Sequence, residues 1–140
     1  MTPLLTHRIA VRFRDCDALG HVNNAVYLTY LEQARFVLWR AQIDMVDRVA
    51  TGPRGEGIIL ARAEVDFRAQ ARYGDELDVR IALAGFGTSS FRYEYEIVSV
   101  PAGRLIASAK TVQVWFDYDR ERAVPLPETI KERLAVPVGV

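Results

Sequence analysis

The sequence predicts an α+β domain in which one early helix is followed by a run of antiparallel strands, in the order β-α-β-β-β-β-α. Two observations carry this expectation. Tyr27, Tyr30, Leu31, Ala34, Val37, Leu38 and Ala41 recur as one apolar stripe of helical period. Between residues 59 and 117 the period is two, interrupted by turn residues at hairpin spacing. Strands spaced this way form an antiparallel meander, and helices on one face of such a sheet make an α+β layer architecture.

The elements follow in order. Residues 7–13, His-Arg-Ile-Ala-Val-Arg-Phe, alternate well enough for a first strand. A polar loop leads to the helix over about 24–42, with Asn23 or Asn24 able to cap it through a side-chain oxygen. Residues 51–57, Thr-Gly-Pro-Arg-Gly-Glu-Gly, form a breaker run. Ile59, Ala61, Ala63, Val65, Phe67, Ala69 and Ala71 then occupy every odd position, with polar residues at the even positions from Arg62 to Arg72. That pattern predicts a long strand with one buried face, small enough for a helix to approach closely. Tyr73-Gly74-Asp75 turns the chain into Leu77, Val79, Ile81 and Leu83. Gly85-Phe86-Gly87 precedes Phe91, Tyr93, Tyr95 and Ile97. Pro101-Ala102-Gly103 precedes a strand over 104–117 whose Leu105, Ala107, Ala109, Gln113 and Trp115 share a face. A short helix opens at Pro127, proline being suited to the first helical turn.

Composition bounds the function. At 140 residues, half of them hydrophobic and with formal net charge zero, the chain reads as one domain over 1–140. Disorder, coiled coil and a broadly basic nucleic-acid binder are excluded on these grounds. Cys16 is the only cysteine, so no internal disulfide can form and a reducing, cytoplasmic compartment fits. Met1 to Ala10 lacks the apolar region of a secretory signal, and no apolar run approaches a membrane span. All basic residues except Lys110 and Lys131 are arginine, which suits phosphate recognition but is more simply a coding bias.

The chemistry concentrates in Asp15-Cys16-Asp17-Ala18-Leu19-Gly20-His21-Val22-Asn23-Asn24, just ahead of the helix. A carboxylate can attack a carbonyl or activate water to do so. The unpaired N–H groups and dipole of a helix N-terminus can stabilise the oxyanion that develops. Such an Asp-rich loop can also be plain turn and capping chemistry. Asp15 could raise the proton affinity of Asp17, but loop-shaping hydrogen bonds are its simpler role. Asp15, Asp17 and His21 lack an obvious fourth ligand, which counts against a metal site. Cys16, between two carboxylates, reads as a packed and inert thiol.

This segment, continued through Tyr27, Tyr30 and Glu32, resembles the opening signature D-x-D-x-x-G-H-V-N-N-x-x-Y-x-x-Y-x-E of the 4-hydroxybenzoyl-CoA thioesterase-like branch of the hotdog-fold superfamily. The resemblance extends over nearly the whole chain. It implies a hotdog fold, a long central helix wrapped by a curved antiparallel sheet, and hydrolysis of an acyl-CoA thioester to free acid and CoA. It also implies Asp17 as base or nucleophile, a backbone amide at about Asn24 as oxyanion donor and His21 near the thioester. His21 could orient the acyl group, donate to the carbonyl or protonate the leaving thiolate. Tyr27 would line the acyl pocket, although core packing is its default. Glu32 is a reserve carboxylate, with an ion pair to Arg35 or Arg14 as its simpler role.

In the resembled family the nucleotide lies at the dimer surface, near the strand after the long loop and the turn before the fourth strand. Here that implicates Arg62, with Arg68 on the same polar face, and Thr88, Ser89 and Ser90 at the turn. The basic run that some members carry at that turn is absent, which leaves an acyl carrier protein open as the donor. The family implies no cofactor and no metal, CoA being part of the substrate, and a homodimer at minimum, with a tetramer compatible. No nucleic-acid or membrane partner is expected. A dehydratase and a non-catalytic acyl-CoA-binding protein are the other readings. The retained Asp17 argues against the latter.

Overall fold

The structure is a computed structural model describing residues 1–44 and 54–139. Its strands are β1 (Leu5–Ala10), β2 (Glu56–Phe67), β3 (Glu76–Phe86), β4 (Ser90–Val100), β5 (Leu105–Asp117) and the short β6 (Arg122–Ala123). Its helices are α1 (Asn24–Ile43) and α2 (Glu128–Leu134), with a 3-10 turn at Phe13–Asp15. All strands join one antiparallel sheet in the order β1-β3-β4-β5-β2, with β6 paired to β5. The sequence reading lacked β6, two residues being too few for alternation to register.

α1 lies across the sheet because its apolar stripe and the inner strand faces cover one another. Tyr27, Tyr30, Leu31, Ala34 and Leu38 are buried, as are Leu77, Val79 and Ile81 of β3 and Phe91, Tyr93, Tyr95 and Ile97 of β4. The stripe is rotated relative to expectation. Val37 and Ala41 are exposed, while Arg35 and Trp39 turn inward. Each brings a polar handle to a buried partner: Trp39 Nε1 donates to the Tyr93 hydroxyl at 2.8 Å and Arg35 Nη1 to the Tyr95 hydroxyl at 3.2 Å. α2 closes one end, with Leu134 fully buried and Gln42 Nε2 donating to the Leu134 and Val136 carbonyls.

Several expectations about the strands are corrected. The first strand ends at Ala10 rather than continuing to Phe13, and Phe13 is exposed, its ring edge-on to exposed Tyr73. The long strand starts at Glu56 and ends at Phe67, so Ala69 and Ala71 fall beyond it. Glu56 and Gly57, read as part of the breaker, are strand; 51–53 lie outside the described residues. The expected single odd face also fails. Ala61 is an extra residue between Leu60, opposite Gln113, and Arg62, opposite Val112. This β-bulge resets the alternation. Ile58 and Leu60 share the inner face before it, and Ala63, Val65 and Phe67 share it after it, while Ile59 points outward. Being the sheet's edge strand, β2 leaves Leu60, Ala63 and Phe67 exposed instead of packed beneath the helix.

Candidate active site

The loop ahead of α1 is built around Asp15. Its carboxylate is 3% exposed and accepts from the Arg12 backbone N–H at 3.0 Å, the Arg12 guanidinium at 3.0 Å and the Tyr30 hydroxyl at 2.8 Å. Its carbonyl accepts from Asn23 N at 2.9 Å. Burial alone would push the Asp15 carboxyl upward, but the Arg12 and Tyr30 hydrogen bonds outweigh it and hold the group below the usual carboxylate range. The Tyr30 phenol is raised by burial and by the Asp15 charge. Asp15 is thus the buried anchor of the loop.

A tight turn joins Asp17 to His21 through their backbones. Asp17 N donates to His21 O at 3.0 Å, Gly20 N to Asp17 O at 3.1 Å and Leu19 N to Asp17 Oδ1 at 2.9 Å. Gly20 sits at φ +87°, a conformation that glycine enters without steric penalty. One carboxylate oxygen of Asp17 is therefore held by the turn, and Oδ2 has no hydrogen-bond partner among the described residues. His21 Nδ1 lies 3.2 Å from the Val22 carbonyl oxygen. Val22 N donates to Ala71 O, fastening the far side of the loop to the segment beyond β2.

α1 begins at Asn24, with Asn23 as its cap: Asn23 Oδ1 accepts from Ala25 N at 2.9 Å and its carbonyl from Val26 N. The Asn24 N–H is left over, with no acceptor among the described residues. His21, Val22, Asn24 and Tyr27 line an open cleft of ≈ 260 Å³ with Phe67, Arg68, Ala69 and Gln70. Tyr27 packs edge-on to Phe67 at 5.4 Å between ring centres. Burial raises its phenol, opposed in part by the Ala71 backbone.

The other expected residues lie elsewhere. Arg62 is on the outer sheet face, paired with Glu64 and lining a separate ≈ 210 Å³ depression with Arg92, Glu94 and Lys110. Ser89 and Ser90 sit at the β3–β4 turn, where their carbonyls accept from Trp115 N and Gly87 N. Glu32 is exposed, and its expected ion pair with Arg35 or Arg14 does not form among the described residues. Cys16 is partly buried against the core, its thiol 3.9 Å from the Arg12 carbonyl. No group of three or more potential metal ligands occurs among the described residues. Sequence reasoning missed Phe67, Gln70 and Arg35. Arg35 did leave a signal, as a charge four residues after Leu31 within an otherwise apolar stripe.

A long helix on a curved antiparallel sheet, with a polar turn feeding the helix N-terminus, defines a hotdog-fold protein, and the comparisons agree. Residues 11–134 match the thioesterase-like superfamily, and the chain belongs to that family. It is 28% identical over 129 residues to a chloroplastic acyl-acyl carrier protein thioesterase of Arabidopsis thaliana, covering 91% of this chain and 66% of that one. With the 1,4-dihydroxy-2-naphthoyl-CoA hydrolase of Synechococcus elongatus it shares 26% identity, covering 90% and 91%. A thioesterase of Thermus thermophilus, crystallised with coenzyme A and Zn, superposes with TM-score 0.82 at 36% identity, covering 94% of this chain and 92% of that one. The protein is a thioester hydrolase by this membership. No helix among the described residues is long and apolar enough to cross a membrane.

Proposed function

We propose that the protein hydrolyses acyl-CoA thioesters, with the Asn24 N–H as oxyanion donor and His21 assisting at the cleft they line, and with Asp17, which is on the adjoining turn and not among the lining residues, as general base or nucleophile. The observation that carries this reading is the unused N–H of Asn24, the first residue of a 20-residue helix and, with His21, one of the residues lining the cleft. Helix polarity favours negative charge at that point. The Leu19 N–H fixes Asp17 Oδ1 and leaves Oδ2 to take a proton from water. Water then adds to the thioester carbonyl, and the oxyanion forms at Asn24 N–H. Its collapse breaks the C–S bond, and the thiolate leaves as CoA thiol with the proton that Asp17 accepted. If Asp17 attacks directly, its tetrahedral adduct collapses to a mixed anhydride as the C–S bond breaks, the CoA thiolate takes its proton from solvent, and water cleaves the anhydride in a second step that restores the Asp17 carboxylate.

The active unit in this reading is a homodimer at minimum. β2 is a 12-residue strand at the sheet edge, bordered by exposed Leu28, Leu60 and Phe67, a surface that favours pairing with a second chain. Arg62, Ser89 and Ser90 lie outside the cleft of their own protomer, so as CoA contacts they would serve the cleft of a partner. A second reading replaces CoA by an acyl carrier protein. It is favoured by the similar plant thioesterase and by the small hydroxyl residues Thr88, Ser89 and Ser90 at the turn.

The test is thiol release from aromatic, short, branched and long acyl-CoA esters by wild type and Asp17→Asn. We expect many turnovers in wild type and a fall of roughly 10²–10⁴-fold in the variant, the usual loss on removing a general base. Near-wild-type turnover by the variant would refute the role of Asp17. Cleavage of carrier-protein esters alone would select the second reading.

A further inference from the structure

Arg35 is 5% exposed, within the apolar stripe of α1. A buried guanidinium is expensive unless its charge is paired and its donors are used. Here Nη1 donates to Tyr95 Oη, a neutral hydroxyl, and no carboxylate among the described residues is within ion-pair distance. The rest of the network is neutral as well. Tyr95 Oη and Thr111 Oγ1 are 2.5 Å apart, and Gln113 Nε2 donates to Thr111. Among the described residues the sealed side-chain atoms without a partner are Gln42 Oε1 and Gln113 Oε1, so the remaining Arg35 nitrogens keep an opening.

That opening is a groove of ≈ 160 Å³ lined by Leu28, Thr29, Glu32, Arg35, Leu60 and Ala63. Like the cleft, where Tyr27 packs on Phe67, it is lined by residues of α1 and β2, and Leu28 of the groove follows Tyr27 of the cleft in the chain. From Asn24 to Arg35 the helix rises about 16 Å, and the arginine side chain leans back by roughly one turn. About 11 Å therefore separates the helix N-terminus from the guanidinium, the reach of a medium-length acyl group. Glu32 lines the same groove but is exposed. Its repulsion of a second carboxylate is therefore set by the high dielectric of water, about 5-fold in binding or on the order of 1 kcal/mol at contact distance.

We propose that Arg35 is a specificity-determining residue that pairs with a carboxylate at the far end of the acyl group, making ω-carboxyacyl thioesters the preferred substrate class. The proposal rests on the thioesterase reading and extends it. An anionic oxygen there would neutralise the buried guanidinium and engage its free N–H fork.

The experiment compares octanedioyl-CoA with octanoyl-CoA, using wild type, Arg35→Met and Arg35→Lys. Wild type should prefer the carboxylated ester by roughly 10- to 100-fold in kcat/KM, the range expected of a charge-assisted hydrogen bond. Arg35→Met should lose that preference, chiefly through KM, and remain folded because an apolar side chain suits the site. Arg35→Lys, with charge but no fork, should fall between. A preference absent from wild type, or retained in Arg35→Met, overturns the proposal while leaving thioester hydrolysis intact. If neither ester is cleaved, binding decides separately: free octanedioate should raise the thermal midpoint of wild type and not of Arg35→Met. No rise in wild type overturns the proposal. So does dissociation of the oligomer in Arg35→Met with unchanged ester preference, which would make Arg35 a subunit contact.

Discussion

Replacing Asp15 by asparagine changes one atom of a buried side chain and tests what organises the loop before α1. In the most favourable placement the amide oxygen takes the position of Oδ2 and still accepts from the Arg12 N–H and the Tyr30 hydroxyl. Both bonds then lose their charge assistance, a drop of about 1 kcal/mol each. The amide nitrogen is set against the Arg12 guanidinium, at little further cost because Arg12 is largely exposed. The expected destabilisation is about 2 kcal/mol, a large part of the roughly 5–15 kcal/mol of a typical domain. Urea unfolding at pH 7 measures it. The folded-state carboxyl titrates below the usual value of 3.8, so its stabilisation is complete above that pH and disappears as pH falls through the depressed value. The gap between wild type and variant should be constant from about pH 8 to about pH 5 and close below about pH 4. A gap under about 0.5 kcal/mol at pH 7, or one equally wide at about pH 3, would refute the anchoring role.

Two further outcomes are expected. His21→Ala should lower kcat/KM by roughly 10-fold, less than Asp17→Asn; a loss matching the range for a general acid or base would make His21 a proton carrier. Leu60→Lys, which puts a charge on the exposed β2 edge, should convert a dimer to monomer in sedimentation velocity, and a persisting dimer would place the interface elsewhere.

Where local pattern and tertiary environment agree, the chain was readable in advance. Phe91, Tyr93, Tyr95 and Ile97 alternate in sequence and are all buried, because β4 lies mid-sheet with a covered inner face. β2 misled for a physical reason. Ile58, Ile59 and Leu60 are all apolar, so the phase of alternation is ambiguous at the point where the bulge changes it. The site was legible as a list of residues but not as an arrangement. The turn joining Asp17 to His21 and the spare Asn24 N–H follow from local chemistry. The contribution of Phe67 to the cleft depends on which edge β2 occupies, a long-range fact that no window of residues contains. Arg35 shows the converse, since its position in the stripe was visible but its lack of a charged partner among the described residues required the fold.

The bulge at Ala61 also bears on how this strand tolerates changes in length. Ala61 has no partner across the ladder, so its removal would leave Leu60 opposite Gln113 and Arg62 opposite Val112. Loss of one residue between Arg62 and Phe67 would instead slide every later pair and turn one segment of the strand inside out. Ala61 therefore works as an expansion joint: the strand has one residue of slack, and it is stored at a single point.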